Sequence, residues 1–423
     1  MRKQRFNIFI IVAVFALLIA LTGCDNFLDG YSPRVVTAHT PPPFVREEIE
    51  VEAIVATNYD ELVQVILELI KDFSDDAFIR YHHEEGEDGS AEIQQALYEA
   101  QNYHPIGVYI LENINVTEKT EATLYTEFSI EIEYARTPEQ VESIIPVATG
   151  RYLRTQVLNS MSKYAEEILI RTGLGLTEED IMELVREIYY STPGGVLALP
   201  VVAVRFFPEE GDDRIYEITL RQRDDSSIML RYGEQLSARI HAIAGSIEGD
   251  TDSEVLLALI EFLIDAAEFD LSLARTIGAH GTQQYEATAF GALNRRSAVG
   301  EGFAMAFKAL LDEMGFDNRI ILGYLDGMLH AWNIVLLDGH FYHIDVALSS
   351  IGEDEEESED GFIRFGTDED FREMLYDWDV ESVPASDGPL TIDDLRPEDP
   401  CCDECEDEDE EGEYNEEEDD NDE

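Results

Sequence analysis

The tightest constraint in this chain is a two-residue turn. His330 to Leu337 and His340 to Val346 are apolar-rich runs on either side of Asp338-Gly339. Asp-Gly between strand-like runs signals a tight hairpin, because both central residues must take positive φ. Such a loop pairs Leu337 with His340 and fixes the register back along both strands. Trp332 then falls opposite Asp345, and His330 opposite Ala347. Side chains alternate between faces, so His330, Trp332, Ile334 and Leu336 share a face with Phe341, His343, Asp345 and Ala347. His330 and Asp345 become diagonal neighbours, roughly 7–8 Å apart at the backbone and within reach of each other's side chains. An Asp that orients a His fixes its tautomer and stabilises the imidazolium, the supporting role in nucleophilic catalysis. Alone, a strand His reads as structural and a strand-end Asp as a cap; the shared face makes them a dyad. His343 on the same face is expected to pack or hydrogen-bond, with Trp332 packed beside the dyad.

A helix precedes the hairpin. Phe303, Phe307, Leu310, Leu311 and Met314 fall at helical spacing, and Gly315 is a C-terminal stop. Position 300 therefore sits in the first turn of a buried helix. A nucleophile belongs there, because a helix N-terminus and a neighbouring His both lower a thiol's pKa. The residue is Gly300, which has no side chain.

These residues carry a resemblance. Tyr285-Glu286-Ala287-Thr288-Ala289-Phe290-Gly291-Ala292-Leu293, Val299-Gly300-Glu301-Gly302, His330-Ala331-Trp332-Asn333 and His343-Ile344-Asp345-Val346 make the region of about 235–350 similar to the transglutaminase-like superfamily. The core of that family is similar to papain-like cysteine proteases. In it the last three stretches read Val-Cys-Glu-Gly, His-Ala-Trp-Asn and His-Val-Asp-Val. The resemblance implies an α+β fold, with a helix packed on an antiparallel sheet. It places His330 and Asp345 in catalytic positions, Gly300 at the position of the missing nucleophile, and Trp332, Tyr285 and Glu301 along a groove. A Thr-Trp-Asp-Asp-like run usual after the second strand is replaced by Ala347-Leu348-Ser349-Ser350. The implied reading is a domain that has lost its thiol and keeps its groove for binding or scaffolding, with peptide or cell-wall material as partner. The alternative is an active acyl-transfer or peptide hydrolase enzyme of this class with an unrecognised nucleophile. Ser297 lies three residues upstream, whereas misplacement of a reacting atom by about 1 Å already costs heavily. Thr288 is a weaker candidate, and Cys401, Cys402 and Cys405 sit in a polar tail. No cofactor or metal is implied.

The chain opens with Arg2, Lys3 and Arg5, an apolar run from Ile8 to Leu21, and Leu21-Thr22-Gly23-Cys24. The run is shorter than the roughly 20 residues of a spanning helix. It reads as a secretory signal, and its end resembles the bacterial lipobox. That motif implies cleavage before Cys24 and lipidation of its sulfur, with more than one acyl chain holding the protein stably on the cell membrane, outside the cytoplasm. Residues 1–23 are thus expected to be a signal peptide. Residues 24–49, with Pro41-Pro42-Pro43, are expected to be a tether.

The formal net charge is −64. Residues 351–423 hold 35 acidic and 3 basic side chains. Half the charge therefore lies in the last 73 residues, and the body before them is still strongly acidic. Nucleic-acid binding is disfavoured, because phosphates require a basic surface. Residues 401–423 contain 16 acidic residues. The segment 386–423 is accordingly expected to be a disordered acidic tail with weak cation binding.

The remaining organisation is an accessory α+β domain over 50–230 and the transglutaminase-like domain over 231–385. In the first, Tyr59–Phe73, Ala91–Asn102, Ala148–Arg171 and Thr177–Tyr190 read as helices. Val108–Asn115, Ala122–Tyr134, Leu197–Phe207 and Arg214–Leu220 read as strands. His82-His83-Glu84-Glu85 reads as a solvated loop.

Overall fold

The structure, a computed structural model, describes residues 53–396 apart from 85, 87, 123, 277–282 and 351–362. The expected signal peptide, tether and Cys24, and the acidic run with its three cysteines, lie outside the described residues.

The accessory region is one module built twice. The first copy runs β1 (Ile54–Ala56), a helix Tyr59–Lys71, β2 (Asp76–His82), a helix Gly89–Asn102, β3 (Leu111–Ala122) and β4 (Tyr125–Tyr134). The second runs β5 (Ile145–Pro146), a helix Gly150–Ser162, β6 (Glu167–Thr172), a helix Glu178–Ser191, β7 (Val201–Phe207) and β8 (Arg214–Arg221). The sheet orders are β1-β2-β4-β3 and β5-β6-β8-β7. In both copies the first two strands are parallel and the other pairings antiparallel. The parallel pair needs a helical crossover, and each copy supplies one from the same signals. Val55-Ala56-Thr57 and Val147-Ala148-Thr149 lead into the first helix. That helix is closed by Phe73 or Tyr164 in the left-handed region, at φ 53° and 52°.

The second module corrects one reading. The expected helix over 148–171 ends at Ser162, and Glu167–Thr172 is a strand. Ile168, Leu169 and Ile170 reach buried positions in the sheet, which overrides local helix propensity. In the first module the strand expected from Val108 begins at Leu111, because Pro105 opens a short helix to Ile110. His82 ends β2 rather than lying in a loop, and His83 Nε2 lies 3.2 Å from Thr126 Oγ1. No metal-ligating cluster occurs among the described residues.

After Arg221 the next helix begins at Ser226, five residues before the expected boundary, and its Met229 is fully buried. It runs to Ala244 and is followed by a helix over Asp252–Ala266. The short parallel pair β9 (Glu268–Phe269) and β10 (Ser297–Ala298) then delivers the chain to the helix Gly300–Met314. Every residue of this helix from Gly300 to Leu311 is buried, as expected of a helix enclosed on all sides. Even Lys308 is inside, bonded to Asp312 Oδ1 at 3.0 Å and to the Asn318 carbonyl at 3.3 Å. Gly315, at φ 86°, ends the helix as expected.

Against this helix lies an antiparallel sheet of β11 (Asn318–Leu325), β12 (Met328–Leu337), β13 (His340–Asp345), β14 (Arg364–Gly366) and β15 (Tyr376–Asp377), ordered β14-β13-β12-β11-β15. The fold is α+β, with a C-terminal helix-on-sheet domain preceded by a separate α+β region. Packing continues past the expected boundary at 385. Ser386 Oγ donates to the Phe341 carbonyl at 2.6 Å, and Leu395 is fully buried. Leu390 and Ile392 find apolar partners in the core, so the body extends to at least Leu395.

Candidate functional site

The hairpin forms in the expected register. Asp338 and Gly339 take φ 50° and 85°, and Leu337 pairs with His340. The strand stops sooner than expected. Ala347 does not face His330, because Val346–Ser349 turns into a short helix capped by Asp345, whose carboxylate accepts the Leu348 N–H at 3.2 Å. Asn333, unassigned from sequence, ties β12 to the central helix through Nδ2 to the Ala304 carbonyl at 3.0 Å.

His330 and Asp345 meet. His330 Nε2 lies 2.6 Å from Asp345 Oδ2. A carboxylate can only accept, so Nε2 carries the proton and Nδ1 is left with a lone pair in the neutral ring. The same Oδ2 accepts the Tyr376 hydroxyl at 2.6 Å. Asp345 is fully buried. Burial pushes its pKa up, but the charge and hydrogen bond of His330, the Tyr376 hydroxyl and the Leu348 N–H together hold it below the usual carboxylate value. Tyr376 is pushed well above the usual phenol value by burial and by Asp345. Asp345 is therefore a fixed anion, and Tyr376 a fixed donor.

Gly300 sits against the other edge of the imidazole. A Cβ placed on it would lie 2.6 Å from both His330 Nδ1 and Cε1, and 3.6 Å from the Ala331 carbonyl oxygen. The predicted nucleophile position and the dyad are thus adjacent, and the ring occupies space that a side chain at 300 would need. No hydroxyl or thiol is hydrogen-bonded to His330 among the described residues. Ser297 belongs to β10, opposite Glu268. The Thr288 hydroxyl donates to the Tyr285 carbonyl at 2.7 Å.

The three expected groove residues do not line an open groove. Trp332, Tyr285 and Glu301 are 1%, 2% and 5% exposed. Trp332 stacks on His330 with ring centres 6.2 Å apart and donates its indole N–H to His343 Nδ1 at 3.0 Å. An indole only donates, so His343 carries its proton on Nε2, 2.8 Å from Asp368 Oδ1. Burial pulls the His343 pKa down, against the pull of Asp368. Tyr285 lies between the Arg223 and Arg295 guanidinium groups, 4.2 and 4.1 Å from its ring centre, and donates to Asp224 Oδ2 at 2.5 Å. Glu301 accepts the Tyr190 hydroxyl of the second module at 2.7 Å. Each is buried because a partner distant in sequence closes over it.

Tyr376 and Asp368 were missed from sequence. The apolar residues of their segment include Phe371, Met374, Leu375 and Trp378. Phe371 and Trp378 are buried, but Leu375 takes φ 68° and is 61% exposed, which turns Tyr376 inward instead. The apolar pattern favoured the opposite choice.

A histidine fixed by a buried carboxylate beside a helix N-terminus is the scaffold of thiol acyl-transfer chemistry. Residues 241–346 match the transglutaminase-like superfamily, so the chain carries a transglutaminase-like domain. No curated protein matches the chain. Among solved structures it is similar to a TGase at 13% identity and a TM-score of 0.25, covering 73% of this chain and 62% of that one. It is similar to a provisionally assigned cysteine protease from Cytophaga hutchinsonii at 15% identity and a TM-score of 0.22, covering 35% and 62%. A provisionally assigned protease from Parabacteroides distasonis gives 7% identity and a TM-score of 0.20, covering 63% and 39%. The chain thus spans about three fifths of the length of that TGase.

Proposed function

We propose that this is a membrane-anchored lipoprotein whose transglutaminase-like domain has lost acyl-transfer chemistry and serves as a binding or scaffolding module at the cell envelope. The observation that carries the reading is Gly300 against His330 Nδ1. The base, its orienting carboxylate and the helix N-terminus are kept, while the atom that would attack is missing. The chain's four cysteines are Cys24, Cys401, Cys402 and Cys405, at its two ends in sequence. Cys24 is the proposed lipid attachment site, and peptide or cell-wall material is the proposed partner.

The test is an assay of amine incorporation into glutamine peptides and of peptide hydrolysis, run on the full chain beside His330→Ala. No turnover by either is expected. Turnover abolished by His330→Ala would restore the enzyme reading. Metabolic labelling with a fatty acid, lost in Cys24→Ser, tests the anchor.

A further inference from the structure

The duplicated module shows what one of its faces does. In the second copy the helix Glu178–Ser191 presents Tyr190, its thirteenth residue, to Glu301 of the transglutaminase-like domain. The corresponding helix of the first copy, Gly89–Asn102, has the same length and places Gln101 at that position. There it borders a cavity of about 670 Å³ lined by Gln94, Leu97, Tyr98 and Gln101 of the helix and by Ile114 and Val116 of β3.

The wall opposite the helix is a sheet edge. Among the described residues β3 pairs only with β4 and ends the order β1-β2-β4-β3. Between irregularities at Leu111/Asn113 and Glu118/Thr120 its pairing is unbroken over Asn113–Glu118. A strand at an edge keeps a row of main-chain donors and acceptors free for another strand. An extended segment added to such an edge puts alternate side chains into the groove beside it. Tyr98, 51% exposed, stands in this groove, and Tyr103, 63% exposed, packs on it edge-to-face with ring centres 5.8 Å apart. Glu118 shares the groove face with Ile114 and Val116 and accepts the Ser90 hydroxyl at 2.6 Å, whereas on the opposite face Glu131 and Glu133 of β4, paired with Asn115 and Asn113, are exposed.

We propose that the groove between the helix Gly89–Asn102 and the edge strand β3 binds an extended peptide segment with alternating apolar and basic residues, added as a fifth strand. Main-chain bonds to Asn113–Glu118 supply the affinity. Glu131 and Glu133 on the opposite face of the sheet select the charge, and the floor of Leu97, Ile114 and Val116 takes the apolar side chains. This site is independent of the dyad and of the proposed function.

The test uses the full chain and two probes of equal charge. One is the capped hexapeptide Lys-Val-Lys-Val-Lys-Val; the other is the same peptide with every main-chain amide N-methylated, which removes strand pairing and keeps the charge. The expected result is that only the first binds and slows hydrogen exchange of residues 111–122. Tyr98→Arg with Gln101→Arg, on solvent-facing positions of the helix, should weaken it at least ten-fold without altering thermal unfolding. Equal binding of both probes, protection elsewhere in the chain, unchanged affinity in the double variant, or no binding would each overturn the proposal.

Discussion

Replacing Gly300 with Ala tests the central geometric claim. Position 300 is the first residue of the central helix. Its φ is not in the positive region, so alanine suits the backbone. On propensity alone the change should stabilise the helix by no more than about 0.5–1 kcal/mol. The added methyl would lie 2.6 Å from two His330 ring atoms. The ring must withdraw by about 0.8 Å, from 2.6 Å to the 3.4 Å at which ordinary contact begins. It is held by the 2.6 Å bond to Asp345 and by the stack on Trp332. A charge-assisted hydrogen bond contributes about 1.5–3 kcal/mol, and overpacking typically costs about 1–3 kcal/mol. The expected net effect is a loss of about 1–2 kcal/mol, read as a lower urea midpoint at unchanged slope. The clash disappears in a His330→Ala background, so a double-mutant cycle should give a coupling above about 1 kcal/mol. If Gly300→Ala is as stable as the parent and the coupling is near zero, the imidazole does not occupy the space beside position 300.

Tyr376→Phe removes one of the two donors to Asp345 Oδ2 and should cost about 1.5–3 kcal/mol; an unchanged urea midpoint would refute the assignment. Tyr190→Phe should lower stability by about 1–3 kcal/mol, because it removes a hydroxyl from the buried Glu301 carboxylate, and calorimetry checks it. Stability should fall in acid in two stages. His343 is depressed by burial, so its contribution is complete above the unfolded value near 6.5 and declines as pH falls toward the folded value. Asp345 is also depressed, so its contribution is present above about 3.9 and lost as pH falls through the folded value. Urea unfolding from pH 8 to 3 reads both stages, and a profile flat between pH 7 and 5 would refute the His343 assignment.

The site was legible where local rules act. Asp338-Gly339 dictated the hairpin register, and that register brought His330 and Asp345 together. Helical periodicity from Phe303 to Met314 and the stop at Gly315 placed Gly300 at a helix start. The accessory modules were less legible. β6 follows its helix through Lys163-Tyr164-Ala165-Glu166 with no Gly or Pro between them, so periodicity merged the two. The duplication is carried mainly by topology and by few shared residues, such as Val-Ala-Thr before each first helix.

The sequence by itself determined the elements whose signal lies within a few residues: the tight turn, the central helix, the caps, the acidic charge and the glycine where a thiol belongs. Tertiary structure alone decided what closes over them. Tyr376, Asp368 and Tyr190 reach Asp345, His343 and Glu301 from 31, 25 and 111 residues away in sequence. Hydrogen-bond partners at such separations leave no periodicity to read. The same closure buries Trp332, Tyr285 and Glu301 and sets His330 against Gly300, because a packed interior assigns space by what meets in three dimensions.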